Sequence, residues 1–226
     1  MRINKLLSNY GFCSRSETNK IIEEGRIKVN GELAIKGQWV EKEDHILIDD
    51  APLLPKDKIY IALNKPVGIT CTAAKEVEGN IISFMNYEEY IFPIGRLDKA
   101  SEGLILMTND GDLANKILES ENNHEKEYIV IVDRPFDDAF IKGMSEGVEI
   151  SGARTRPCRV SRISEDTFRI ILTQGLNKQI RKMTKTFGYN VISLQRIRII
   201  NIKIQGIDTG TWRNLTEEEL VELRSK

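Results

Sequence analysis

The stretch Tyr90–Thr108 leaves the fold of this 226-residue chain the least freedom. Two apolar runs, Tyr90-Ile91-Phe92-Pro93-Ile94 and Leu104-Ile105-Leu106-Met107-Thr108, are short and bounded by turn residues. That pattern predicts buried strands. Between them lies Gly95-Arg96-Leu97-Asp98-Lys99-Ala100-Ser101-Glu102-Gly103, a polar connection with a glycine at each end. A carboxylate beside an arginine is thus expected on a loop held by two rigid elements, a usual place for reactive groups. An aspartate in a loop is also an ordinary turn former or helix cap, so the rest of the chain must decide its role.

Most familiar catalytic sets are missing. The two histidines, His45 and His124, have no metal-ligand spacing around them. There is no glycine-rich nucleotide loop and no Gly-x-Ser-x-Gly. Cys13, Cys71 and Cys158 are scattered and match neither a disulfide framework nor a zinc pair. Expected chemistry therefore rests on carboxylate, arginine, lysine and tyrosine, without metal or cofactor. No apolar run approaches the ~20 residues of a membrane span, and no signal-peptide core follows the charged N-terminus. A monomer in the cytoplasm, with no membrane partner, is the expectation.

Residues 1–48 form a small predicted unit of α+β type. Ile3, Leu6 and Leu7 have helical spacing. Ser14 with Glu17 three residues on predicts a capping box opening a second helix, which stops at Gly25. Arg26–Val29, Asn30-Gly31 and Glu32–Ile35 predict a hairpin, because Asn-Gly suits positive φ in a tight turn. His45–Ile48 would complete the unit. The proline-containing segment 49–58 has no periodicity and is expected to be a linker. Residues 59–226 then read as a second domain rich in strands. Predicted there are a strand at Ile59–Leu63, a short helix at Ile81–Met85 and a helix capped by Asp112 that runs through Leu118. A strand at Lys126–Val132 and a helix at Ala139–Ser145 follow. An antiparallel pair at Cys158–Ile163 and Phe168–Thr173 leads to a basic helix at Asn177–Phe187, a long strand at Val191–Ile204 and a closing helix capped by Thr216.

Charge is unevenly placed. The formal net charge is -1, yet Arg154–Lys203 holds twelve basic residues against Glu165 and Asp166 alone. A basic segment in an otherwise acidic chain is an electrostatic footprint for a polyanion.

Residues 1–48 resemble the S4 RNA-binding module in Arg2–Leu7, Cys13-Ser14-Arg15-Ser16-Glu17 and Gly25–Gly31. Five further segments resemble, in order, the motifs of RNA pseudouridine synthases, in the RsuA-like branch of that family. They are Asn64-Lys65-Pro66-Val67-Gly68, Gly95–Leu104, Lys126-Glu127-Tyr128, Gly175–Met183 and Leu194-Gln195-Arg196-Ile197-Arg198. The resemblance implies the pseudouridine synthase fold, an α+β class in which the S4-like module joins a mixed, mainly antiparallel sheet with flanking helices. It implies cofactor-free isomerisation of a uridine in structured RNA, with large-subunit ribosomal RNA as the substrate and a transfer RNA as a second one.

The resemblance also assigns roles. Asp98 would be the catalytic residue. Arg96 and Arg181 would pair with Asp98 or with a phosphate. Tyr128 would stack on the flipped base and Leu194 would pack on its other face. Lys65, Lys178 and Lys182, with Arg2, Lys5, Arg15 and Arg26 of the S4-like unit, would meet RNA. Lys65 could instead only shape its turn. A non-catalytic RNA-binding or ribosome-assembly factor is the alternative; such a protein has no need of Asp98. A glycosidase is disfavoured, since it uses two carboxylates and only Glu102 lies near Asp98 in sequence.

Overall fold

The computed structural model describes residues 1–41, 43–74, 76–119 and 123–226. The chain begins with helices α1 (Ile3–Asn9) and α2 (Arg15–Glu23). Ser14 accepts from the Glu17 amide and the Glu17 carboxylate accepts from Ser14 N–H, so the predicted capping box is formed. Four short strands follow: β1 (Ile27–Val29), β2 (Glu32–Leu33), β3 (Ile46–Ile48) and β4 (Ala51–Pro52), in sheet order β2-β1-β3-β4. Asn30 and Gly31 both have positive φ, as the hairpin requires. β4 lies inside the stretch expected to be a linker and pairs with β3 through Leu47 and Ile48. Ile3, Leu7, Ile22, Ile27 and Val40 close a core of this unit's own.

The second part runs β5 (Tyr60–Lys65), α3 (Ile81–Met85), β6 (Phe92–Ile94), β7 (Glu102–Thr108), α4 (Gly111–Leu118) and β8 (Lys126–Val132). It continues with α5 (Asp138–Ser145), the hairpin of β9 (Glu149–Ile150) and β10 (Ala153–Arg154), then β11 (Arg159–Arg162) and β12 (Thr167–Leu172). It ends with α6 (Gln179–Thr186), β13 (Val191–Ile199), β14 (Ile202–Lys203), β15 (Trp212–Asn214) and α7 (Glu217–Ser225). Among the described residues one sheet has the order β11-β12-β8-β13-β7-β5-β15, with β14 on β13 and β6 on β7. The β13–β7 pairing is parallel and the others are antiparallel. No described helix is long and apolar enough to cross a membrane.

The near-continuous apolar run of β7 has a simple cause. Leu104 and Leu106 face α4 and α7, in a cluster with Leu113, Ile117 and Leu223. Ile105 and Met107 face the opposite layer, with Ile81, Phe140 and Met183. A strand covered on both sides loses the polar alternation of a half-exposed one.

Two predicted boundaries shift. Asp110, not Asp112, caps α4: its carboxylate accepts from the Asp112 and Leu113 amides. The expected strand Val191–Ile204 is broken, because Ile200 takes φ 54° and the chain reverses into β14. A β-branched residue gives no sequence signal for such a turn.

Candidate active site

The loop 95–101 sits where β7 changes neighbours. β5 occupies one edge of β7 along most of its length. The other edge is shared, Glu102 and Gly103 pairing with β13 and Leu106–Thr108 with β6. The loop leaves the sheet at that split and is braced from several sides. Leu97 is buried in the main core, and its amide donates to Cys71 Sγ at 3.4 Å. Lys99 O accepts from Gly68 N–H at 2.8 Å and Asp98 O from Ser101 N–H at 3.0 Å.

Two arginines hold the same loop. Arg181 Nη2 donates to Ala100 O at 2.9 Å and to Ser101 Oγ at 3.2 Å, and its Nη1 reaches Val191 O. Arg196, 3% exposed, donates from Nε to Leu104 O at 2.7 Å and from Nη1 to Arg96 O at 3.4 Å. The loop's shape is therefore set by its backbone and by guanidinium donors beneath it. Asp98 is half-buried, and its carboxylate has no hydrogen-bond or ion-pair partner among the described residues. The ion pair of Arg96 or Arg181 with Asp98, one of the options open from sequence, is not formed.

A cavity of about 450 Å³ opens over this loop. It is lined by Arg96, Asp98, Tyr128, Lys178, Arg181 and Leu194, all expected at the site. Its sheet wall follows from pairing. Tyr128 lies opposite Arg196, and Leu194 opposite Val130. Cross-strand partners and their second neighbours share a face, so Lys126, Tyr128, Leu194 and Arg196 form one surface. Tyr128 and Leu194 are almost wholly buried.

A β-bulge then separates two arginines that strict alternation would place together. Between Arg196 and Arg198 the partner strand advances one residue, from Tyr128 to Glu127, while β13 advances two. Arg196 stays on the cavity side and Arg198 turns to the other face. There it meets Glu127 at 2.6 Å and Glu125 at 2.9 Å.

Not every expected residue reaches the cavity. Lys65 is 0% exposed and donates to Pro66 O and Ile69 O, which weakens its case as an RNA contact. That environment favours the alternative, that Lys65 shapes its turn. Burial, first of all, lowers its pKa. Lys182 lies outside the lining and donates to Ser151 Oγ. Arg2, Lys5, Arg15 and Arg26 belong to the N-terminal unit. Arg26 is already matched by Asp49 at 2.7 Å and Glu24 at 3.0 Å, which weakens its case as a phosphate contact.

The basic segment is likewise partly self-neutralised. Arg159, Arg162, Arg169 and Arg198 pair with Glu125, Asp138 or Glu127, acids outside that segment. Sequence reading gave no role to Arg196, Lys126 or His124, which also line the cavity. Lys126 is desolvated and lies near Arg196, and both lower its pKa, burial more. The usable signal was an arginine inside the apolar strand 191–199. The cavity wall thus carries Arg96, Lys126, Lys178, Arg181 and Arg196 against Asp98 and Glu119, a surplus of positive charge that suits an anionic ligand.

Comparison with known proteins fixes the family. Residues 59–186 match the RNA pseudouridylate synthase model, and residues 1–46 match the S4 domain model. This chain belongs to the RNA pseudouridine synthases. It is therefore an isomerase, with an S4 module in front of its catalytic domain. It is similar to the dual-specificity RNA pseudouridine synthase RluF of Escherichia coli K12, at 48% identity over 99% of this chain and 78% of the relative. The RluF of Salmonella typhi gives 48% over 98% and 78%. The ribosomal large subunit pseudouridine synthase B of Bacillus subtilis is 29% identical over 99% of this chain and 96% of its own. A crystal structure of a pseudouridylate synthase superposes with a TM-score of 0.74, 26% identity and 99% coverage of both chains. The superposition spans the small front module and the large sheet of this chain alike, as the α+β expectation required.

Proposed function

We propose that this synthase converts one uridine in a stem-loop of large-subunit ribosomal RNA to pseudouridine, and accepts a transfer RNA as a second substrate. The names of its RluF and B. subtilis relatives support the substrate class. One observation carries the site: a carboxylate, Asp98, with no partner among the described residues, in a cavity walled by Tyr128 and Leu194 and rich in cations. In this reading the target uridine leaves its stack, at a cost of about a few kcal/mol. Tyr128 stacks on the extruded base and Leu194 packs on its other side. Arg96, Lys178 and Arg181 attract the flanking phosphates. Asp98 acts on the ribose, as nucleophile at C1′ or as base on a sugar proton. The N1–C1′ bond breaks, the base turns, C5 bonds to C1′, and the C5 proton leaves while N1 gains one. Tyr128, in the same cavity, assists that transfer. The reaction proceeds without metal or cofactor, on a monomer in the cytoplasm. Residues 1–48 serve as the RNA platform, joined through residues 49–58 to the catalytic domain, 59–226.

Mapping pseudouridines in total RNA from cells with and without the protein tests this reading. A position in large-subunit ribosomal RNA should lose its pseudouridine when the protein is absent. An unchanged large-subunit map would overturn the substrate assignment.

Charge pairing makes a second expectation. Lys178→Ala and Lys182→Ala should each weaken binding of all RNA sequences alike and reduce the slope of log K against log salt by roughly one. Arg159→Ala should change the slope less, because the Arg159 guanidinium is already engaged by Glu125. Binding titrations at several salt concentrations check both. Equal effects of all three substitutions would show that the internal pairs do not decide which cations meet RNA.

A further inference from the structure

The N-terminal unit exposes a group its own core does not use. Trp39 is 71% exposed, Ile35 68% and Leu33 62%. Tryptophan is usually well covered, so an exposed one beside exposed aliphatic residues calls for a partner. Trp39 is not loosely held. Ile3 N–H donates to Gln38 O at 2.9 Å, Val40 N–H to Met1 O at 2.8 Å, and the N-terminal ammonium to Val40 O at 2.7 Å. The turn before it is closed by Gln38, whose amide reaches Ile35 O and whose side chain accepts from Ile35 N–H. The ring is thus presented from a backbone clamped on both sides, with Val40 buried as its anchor.

The partner's chemistry follows from what surrounds the ring. Arg2 bridges Trp39 in the backbone, and its guanidinium lies 3.9 Å from the Cβ position of Gly37. Lys5 stands one helical turn further along α1, its amide bonded to Arg2 O. Arg2, Lys5 and Arg15 have no ion-pair partner among the described residues, whereas Arg26, Lys28 and Lys36 are each matched by a carboxylate. Glu32, Glu41 and Glu43 are the nearby exposed acids in sequence. A rigid aromatic face beside unmatched cations fits a nucleobase with its phosphate, since every base offers a face to stack on.

We propose that Trp39 is a stacking platform for an unpaired base of the substrate RNA, outside the catalytic cavity, with Arg2 and Lys5 on the adjoining phosphates. The proposal rests on the RNA-modifying reading above and adds a base contact to the front module. It is tested on the full-length protein with a transcript of large-subunit ribosomal RNA. Trp39→Ala should weaken RNA binding and raise KM roughly tenfold or more, the scale of one lost base stack, with kcat unchanged. Trp39→Phe should restore most of the loss.

The chain has two tryptophans, so a Trp212→Phe background leaves Trp39 as the sole indole emitter. Its emission should be quenched on adding the transcript. Binding by Trp39→Ala within twofold of wild type, together with unchanged emission at saturating RNA, would sink the proposal, and a protein partner for this face would then be the reading to pursue. If Trp39→Ala fails to fold, the quenching and Trp39→Phe arms still decide. Binding and quenching can succeed while no pseudouridine forms, so failure of the functional reading stays distinguishable.

Discussion

Asp98→Asn should abolish turnover while leaving RNA binding and stability nearly intact. The expected loss is at least about a thousandfold in kcat, the scale for removing a group that acts directly on the reacting atoms. Release of tritium from RNA labelled at uridine C5 measures it. The physical basis is a separation of duties within the loop. Its conformation rests on Leu97, Lys99 O, Ala100 O and Ser101, which meet Cys71, Gly68 and Arg181, and on Arg196 beneath Arg96 and Leu104. None of these contacts uses the Asp98 carboxylate. An amide of the same size should therefore change stability by no more than about 0.5 kcal/mol. The affinity for RNA, spread over cations elsewhere on the cavity wall and on the front module, should stay within about twofold of wild type, since binding rests mainly on phosphate contacts. Tritium release by Asp98→Asn within tenfold of wild type would remove Asp98 from the chemistry. Loss of binding alongside activity would instead make it a binding residue.

Gly103→Ala should be the most damaging single methyl group in the chain. Gly103 has φ +106°, a conformation that side-chain-bearing residues rarely adopt. An added Cβ would lie 2.3 Å from Arg196 O and 2.6 Å from Arg196 N. Both are backbone atoms of the parallel partner strand, so no side chain can swing away. β7 and β13 would have to part where Glu102 meets Gln195. Arg196 would then lose its grip on Leu104 O. The combined clash and strain should cost on the order of 4–5 kcal/mol, which for a chain of this size lowers Tm by about 10–20 °C. Gly175→Ala is the control. A Cβ there meets nothing within 4 Å and no positive φ is required, so stability should be unchanged within about 0.5 kcal/mol. Thermal unfolding of both variants decides the matter, and similar Tm values for the two would show that the sheet yields where the contact distances say it cannot.

Much of the site was legible in the residues because it is built from local patterns. Two short apolar runs with glycine at each end of their connection imply strand–loop–strand whatever the surroundings. The ordered motifs marked Asp98, Tyr128, Arg181 and Leu194, and these residues line one cavity. The surroundings of Lys65 were not legible, for an equally physical reason. A lysine in a turn looks like a cation offered to solvent, and only packing reveals that two carbonyls, Pro66 O and Ile69 O, absorb it. Arg196 was passed over because a guanidinium in an apolar strand carries no label saying which backbone it will hold. The helix start at Asp110 was misplaced because Asp112 offered an equally good local signal, and the turn at Ile200 was missed because a β-branched residue gives none.

The sequence by itself determined that the chain carries an S4-like front and an α+β domain with a reactive carboxylate loop. Periodicity, caps and motif order are short-range properties, and each is complete within a few residues. Tertiary structure alone decided which charges are spent internally and which face a ligand. Glu125 and Glu127 lie far along the chain from Arg159, Arg169 and Arg198, and only the register of β8, β11, β12 and β13 brings them together. The bulge in β13 then sends Arg196 to the cavity and Arg198 to that ladder. Such a division depends on strand pairing over long separations, where one residue of slip exchanges the two faces of the sheet.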